Sequence, residues 1–370
     1  MKKVRIAIVG CGGIANQKHL PALAKFPERC EIVAFCDTIR ERAEKAAAKY
    51  GVPGAKVYTD YKELLSDKTV EFDTVHVCTP NVAHCPITVA AFAAGKNVMC
   101  EKPMAHNSAD AQKMLDAWKA SGKKFTIGYQ NRFRDDTTTL HASCEAGELG
   151  EIYFAKAHAL RRRAVPTWGV FPNKDLQGGG PLIDIGTHAL DITLWMMNNY
   201  EVESVTGSVF YKLGRDPHGP EGNVFGPWDP KTFQVEDSAF GFIKFKNGAT
   251  VYLEASWALN ILKSMEASTT LCGTKQGAEI HHGGSYGKDE LIYNTVEHNQ
   301  LMEKVISPAP LVDFFEGGAA AEAVREADQW LDAILNDKQP LVKPEQAYIV
   351  TKILEAIYES AETGKEVFFK

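Results

Sequence analysis

Two short stretches of this 370-residue chain combine residue types that carry proton chemistry. The first is Gly178-Gly179-Gly180-Pro181-Leu182-Ile183-Asp184-Ile185-Gly186-Thr187-His188, continuing through Asp191 to Trp195. Three glycines let the backbone approach a neighbour closely, and Asp184 and His188 follow at i and i+4, so a helix sends both side chains from one face. A carboxylate and an imidazole on an otherwise apolar helix are costly unless they have a use or satisfy one another. Two readings stand: a working pair, or a buried hydrogen-bonded pair that only stabilises. The second stretch is Glu101-Lys102-Pro103, directly after the apolar run Asn97–Cys100. Its proline restricts the backbone at Lys102, although the tripeptide alone says little, because most lysines are solvated.

A third stretch binds rather than reacts. The run Val4–Val9 leads into Gly10-Cys11-Gly12-Gly13-Ile14-Ala15, which fits G-x-G-x-x-A between a strand and a helix. Gly10 permits the tight turn, Gly12 lets the backbone approach a pyrophosphate, and Ala15 allows close helix–strand packing. The helix start then offers N–H groups and positive dipole to the phosphates. The second apolar run ends at Cys36-Asp37, where a carboxylate meets the adenosine ribose and repels a 2′-phosphate, favouring NAD over NADP. Thr79-Pro80-Asn81 ends the fourth run, at the sheet edge where open α/β proteins bind ligands. The expected cofactor contacts are Gly10, Gly12, Gly13, Ile14, Asp37, Thr79, Pro80, Asn81, His84, Glu101, Lys102 and Gln130.

These residues need a scaffold, and the hydropathy pattern describes one. From Val4 to about Gly128, short β-branched runs alternate with Ala/Lys/Glu-rich stretches of helical period, the mark of βαβ units and a doubly wound parallel sheet. After Gly128 the runs lengthen and alternate (Glu151–Leu160, Ser204–Tyr211, Ser238–Phe245, Thr250–Ala258), predicting an α+β domain with an open, mostly antiparallel sheet. Lys246-Asn247-Gly248 marks a hairpin, and the Gly- and Pro-rich stretch Gly214–Pro230 reads as one long loop. Two helices, Ala319–Asn336 and Pro344–Thr363, close the chain. The expected division is 1–128 for the dinucleotide and 129–370 for substrate and assembly, with the helix 344–363 free to pack on the first domain.

Composition narrows the partners. A net charge of −6 gives no basic excess, so neither nucleic acid nor an anionic membrane is favoured. Eight cysteines are scattered without CxxC spacing or a compact Cys/His set, so neither a metal site nor disulfides are expected. Met1-Lys2-Lys3 runs straight into the first strand, too short for a signal peptide, and no later run spans a bilayer, which predicts a cytoplasmic protein.

Taken in order, Gly10–Ala15, Thr79–Asn81, Glu101–Pro103 and the Gly178–Asp191 block resemble the Gfo/Idh/MocA family, named for glucose–fructose oxidoreductase and inositol dehydrogenase. The resemblance covers essentially the whole chain. It implies an N-terminal Rossmann domain and a C-terminal α/β domain whose open sheet often joins subunits, hence a homo-oligomer (dimer, tetramer or higher). It also implies that Lys102 is the active-site lysine and that Asp184 and His188 are the acid/base pair. Oxidising a secondary alcohol needs a base beside the hydride acceptor, and a neutral imidazole suits pH 7. His188 takes that role, Asp184 orients the ring or bonds substrate, and Lys102 positions the substrate and stabilises alkoxide charge, with proton relay as a further role.

Tyr129–Phe133, Arg161–Arg163, Pro166–Gly169 and Gly226–Asp229 mix aromatic faces with amide and guanidinium donors, a combination suited to a sugar ring. Arg132, Arg163 and Trp168 join Lys102, Asp184 and His188 as expected substrate contacts. Within the family, the motifs look most like bacterial enzymes that oxidise a glucoside at its 3-hydroxyl, including some acting on C-glycosides. Two alternatives stand beside this small-molecule dehydrogenase: a glycosidase that retains NAD and oxidises the ring transiently, and a non-catalytic NAD-binding regulator, since this fold also occurs in the yeast galactose repressor.

Overall fold

The alternating first third of the chain folds into six parallel strands: β1 (Val4–Val9), β2 (Cys30–Cys36), β3 (Lys56–Tyr58), β4 (Thr74–Val77), β5 (Asn97–Cys100) and β6 (Phe125–Ile127). A computed structural model describes residues 3–282, 290–306 and 320–369. The strand order β3-β2-β1-β4-β5-β6 reverses between β1 and β4, the switch point at which doubly wound sheets bind dinucleotides. Helices α1 (Leu20–Leu23), α2 (Arg40–Tyr50), α3 (Tyr61–Ser66), α4 (His84–Ala93) and α5 (Ser108–Ser121) connect the strands. A π-helical turn, Ala15–His19, precedes α1, and the Leu20 N–H reaches back to Ala15 O. Pro21 explains the wider turn: its ring crowds the carbonyl four residues back, and it has no N–H to offer.

The longer alternating runs build a second sheet from β7 (Ile152–Leu160), β8 (Val202–Phe210), β9 (Ser238–Phe245), β10 (Thr250–Ser256), β11 (Met265–Gly273), β12 (Gly277–His281), β13 (Glu290–Glu297), β14 (Gln300–Ile306) and β15 (Val367–Phe368). Its order is β14-β13-β12-β11-β7-β10-β9-β8-β15. β7 and β10 pair in parallel, whereas β9 and β10 form the hairpin expected from Asn247-Gly248, with Gly248 at φ +87°. Helices α6 (Asp135–Glu145), α7 (Lys174–Gln177) and α8 (Thr187–Met197) lie between β6 and β8, and α8 packs on β7 and β11. One sheet face is small and buried (Ala157, Ala239, Gly241, Leu253, Ala255), matching the helices over it. The other carries Phe154, Phe240, Phe242 and Tyr252.

Helices α9 (Ala321–Leu335) and α10 (Pro344–Thr363) complete the chain. The expected start of α9 at Ala319 lies outside the described residues. Two compact units result: Met1–Phe133 with Val312–Tyr348, and Arg134–Leu311 with Ile349–Lys370. A single cut after Gly128 therefore differs from the structure. Ala323, Ala327 and Leu331 form the apolar stripe of α9, and they pack into the core of Val4, Ile6, Ile8, Leu20 and Leu23; Trp330 and Ala333 reach Met99.

Candidate active site

The glycine turn has the shape a dinucleotide needs. Gly10 sits at φ +92°, and a Cβ there would stand 2.4 Å from Cys78 O, so no other residue fits without moving β4. A Cβ on Gly12 or Gly13 would meet nothing within 4 Å, which leaves the backbone open to an approaching phosphate. Asn16 Nδ2 donates to Cys11 O (2.8 Å) and Gly12 O (2.9 Å), fixing the turn. Asp37 is buried; its carboxylate accepts from Cys11 N and Ile39 N, each at 2.8 Å, and keeps lone pairs for ribose hydroxyls. Thr79 Oγ1 is buried without a hydrogen-bond partner among the described residues, as a cofactor-facing hydroxyl would be. NAD fits these residues, with Gly10, Gly12 and Gly13 for the pyrophosphate and Asp37 for the ribose.

Lys102 stands half-exposed beside buried Glu101 and Pro103, and the Lys102–Pro103 peptide is cis. A buried charge cluster lies behind it. Lys18 Nζ is 2.7 Å from Glu101 Oε1, 2.8 Å from Glu326 Oε2 on α9 and 3.2 Å from Gln130 Oε1. His19 Nε2 reaches Glu101 Oε1 (2.8 Å), while its Nδ1 faces His76 Nδ1 at 3.1 Å. Glu101 Oε2 accepts the Lys102 N–H at 3.1 Å. Burial opposes the Lys18 ammonium, but Glu101 and Glu326 outweigh it and hold its pKa above the ordinary value. Burial likewise opposes the Glu101 carboxylate, yet Lys18 and His19 hold it well below the usual range. Glu326 shares Lys18 without a histidine of its own, and burial leaves its pKa raised.

Asp184 lies in a π-helical turn, Leu182–Gly186, that runs into α8 and His188. Such turns concentrate at functional sites, and residues four apart still share one side. From Gly179 to Met196 every residue is buried except Asp184 and His188. Trp257 Nε1 donates to Asp184 Oδ2 at 3.1 Å. Glu236 caps this helix, accepting from Gly180 N (2.9 Å), Leu182 N (3.2 Å) and Tyr358 Oη (2.7 Å). Its carboxylate thus satisfies N–H groups that a helix start leaves unpaired. A Cβ on Gly179 would lie 2.1 Å from Tyr358 Oη. The triple glycine therefore admits Glu236 and Tyr358.

Family models match in order along the chain: an oxidoreductase family with an NAD-binding Rossmann fold over residues 4–129, and the C-terminal alpha/beta domain of that family over residues 143–369. The chain belongs to the Gfo/Idh/MocA oxidoreductase family. Its cofactor is NAD. It is 37% identical to D-glucoside 3-dehydrogenase of Escherichia coli (strain K12) over 98% of this chain and 97% of that one. Inositol 2-dehydrogenase of Salmonella typhimurium is 33% identical over 53% of this chain and 55% of its own. Among solved structures, aldose–aldose oxidoreductase from Caulobacter crescentus, complexed with glycerol, aligns with a TM-score of 0.79 and 26% identity over the full length of both chains.

Within this Gfo/Idh/MocA fold, some expected contact residues are engaged inside the protein and others stay open to solvent. Arg132, expected on substrate, is fully buried with Nη1 donating to Gln346 Oε1 at 2.7 Å, because the turn after β6 directs it inward. Glu101, expected on the cofactor, spends its carboxylate on Lys18, His19 and Lys102 N. His84 is fully buried, with its ring nitrogens facing Pro103 O (2.8 Å) and Thr79 O (3.0 Å). Burial lowers its pKa, so the neutral ring donates to one carbonyl at a time and joins the loops after β4 and β5. Gln130, Pro80, Asn81 and Ile14 remain partly or largely exposed, as does Trp168. Arg163 Nη2 donates to Asn260 Oδ1 at 2.9 Å. Glu236, Trp257, His76 and Glu326 carry no local motif that marks them in the sequence. Trp257, an indole inside an alternating strand run, was the one available signal.

Proposed function

We propose that this chain is an NAD-dependent dehydrogenase of a sugar or glycoside secondary hydroxyl, with the 3-hydroxyl of a glucoside as the oxidised position. The observation that carries the reading is that Asp184 and His188 alone are partly open on an otherwise buried 18-residue stretch. A merely stabilising pair would be buried with its neighbours. When bound, NAD supplies the hydride acceptor. His188 takes the hydroxyl proton, Asp184, steered by Trp257, orients the imidazole or the substrate, and Lys102 stabilises charge developing on the oxygen. Similarity to D-glucoside 3-dehydrogenase across nearly the whole chain supports a glucoside substrate.

The aromatic face of Phe154, Phe240, Phe242 and Tyr252 supports assembly with further copies, which light scattering tests directly. Eight free cysteines support a reducing, cytoplasmic location. Among the described residues, no helix is long and apolar enough to cross a membrane.

Purified protein is assayed for NAD reduction with polyols, free sugars, and O- and C-glycosides. The expected result is a 3-keto product from a glucoside, and its production falls at least about 100-fold in Lys102→Ala and His188→Ala. Turnover of no polyol or glycoside, or unchanged turnover in both variants, rejects the reading.

A further inference from the structure

The long loop Gly214–Pro230 and the basic run Arg161–Arg163 have so far no part in the chemistry, yet they build one cavity of about 490 Å³. Arg162, Arg163, Glu221, Val224, Asn260 and Ser264 line it. The loop is tied down. Asn223 accepts from Val165 N (2.8 Å) and donates to Val165 O (3.0 Å), while Val224 N reaches Arg163 O (3.2 Å). We propose that this cavity is a subsite for the aglycone of a glycoside, and that it selects an aryl aglycone bearing a carboxylate.

Charge supports the anion. The Arg163 guanidinium is held by Asn260 Oδ1 and by Arg162 O (2.8 Å), so it presents a fixed positive group. Arg162 is exposed, and its guanidinium has no partner among the described residues. Glu221 lines the same cavity, but its carboxylate is engaged by His218 Nδ1 at 2.8 Å. Two guanidinium groups thus face one already occupied carboxylate, and planar guanidinium matches carboxylate geometry.

Shape and reach support the aryl group. Phe225, next to the lining residue Val224, packs edge-on against Trp168 with ring centroids 4.8 Å apart, and Trp168 is 52% exposed. An exposed indole packed on the residue that follows Val224 suits a flat ring. Asn260 is three residues beyond Trp257, the partner of Asp184, and three residues of chain span at most about 11 Å. Within that upper bound, a sugar ring and its glycosidic linkage can bridge the Asp184 end and the cavity. The cavity volume falls within the usual range for small-molecule sites.

The inference rests on the glycoside reading above, and the experiment separates the two. Binding of 4-carboxyphenyl β-D-glucoside and phenyl β-D-glucoside is measured by calorimetry in the presence of NADH, for the wild-type protein and Arg162→Gln. NAD reduction is measured in parallel with both glucosides. The wild-type protein is expected to bind the carboxylate at least about tenfold more tightly, a preference that falls to about twofold or less in Arg162→Gln. No preference in the wild type, or the same preference in the variant, overturns the subsite even if both glucosides are oxidised. An Arg162-dependent preference without NAD reduction upholds the subsite and rejects the dehydrogenase reading. Failure to bind either glucoside overturns both.

Discussion

Lys18 Nζ lies 2.7 Å from Glu101 Oε1, and both side chains are buried. The pair joins the helix after the glycine turn to the residue that precedes Lys102, so the cofactor loop and the lysine loop share one internal ion pair. Neither residue is paired alone, since Glu326 and His19 complete the cluster.

The cluster is asymmetric, and substitution should expose this. Lys18→Met leaves Glu101 and Glu326 as buried like charges and is expected to cost about 3–5 kcal/mol. Glu326→Gln removes a carboxylate whose charged form the fold already disfavours, and is expected to change stability by about 1 kcal/mol or less. Urea unfolding of the two variants checks this, and equal losses would reject the asymmetry.

The same cluster sets an acid limit. The pKa of Glu101 is lowered in the folded state, so its contribution to stability is present above the ordinary carboxylate value and drains as pH falls through the folded value. Lys18 works in the opposite sense: its pKa is raised, so its contribution is complete below the ordinary lysine value and drains above it. Glu101→Gln should therefore flatten the acid limb of stability between about pH 5 and pH 3 relative to wild type. Denaturant midpoints measured across that range decide the matter; an unchanged slope contradicts the assignment.

Asp37 governs the choice of dinucleotide. Asp37→Asn keeps an oxygen for one of the two backbone N–H groups but loses the charge. The expected result is a rise in KM for NAD of about tenfold and a smaller discrimination against NADP. Initial rates with both cofactors test this, and an unaltered NAD/NADP ratio would remove Asp37 from the ribose site.

Trp257 is a positioning residue for Asp184. Trp257→Phe keeps an aromatic body in a fully buried place while deleting the indole N–H. A fall in kcat of about tenfold with little change in KM for NAD is expected. A matching loss in NAD affinity would instead mark a general disturbance of the fold.

Legibility in the sequence followed the range of the interactions. The parallel strands, the glycine turn and the Asn247-Gly248 hairpin were readable because each is encoded within a few residues. Asp184 and His188 were readable as a pair because four-residue spacing is a local property, although the π turn that carries Asp184 was not. Helix α6, with Asp135-Asp136-Thr137-Thr138-Thr139 at its start, shows no apolar stripe, and its pattern gave no helix. Glu236 reaches Leu182 across 54 residues and Trp257 reaches Asp184 across 73, while Glu326 meets Lys18 from the far end of the chain, so no window of sequence reveals them. Gly178–Gly180 announces a close approach without naming what approaches, and nothing near Arg132 in sequence reveals its partner, Gln346.

Synthesis runs from the amino end, and this gives the placement of α9 a temporal meaning. When the ribosome has released residues as far as Phe133, all six parallel strands exist, but the face awaiting Ala323, Ala327 and Leu331 is bare and Lys18 lacks Glu326. About 200 further residues must emerge before that face is covered. The nascent first unit therefore waits, with an open apolar flank, for the second sheet to be made, and this interval is its period of greatest exposure to chaperones and to aggregation.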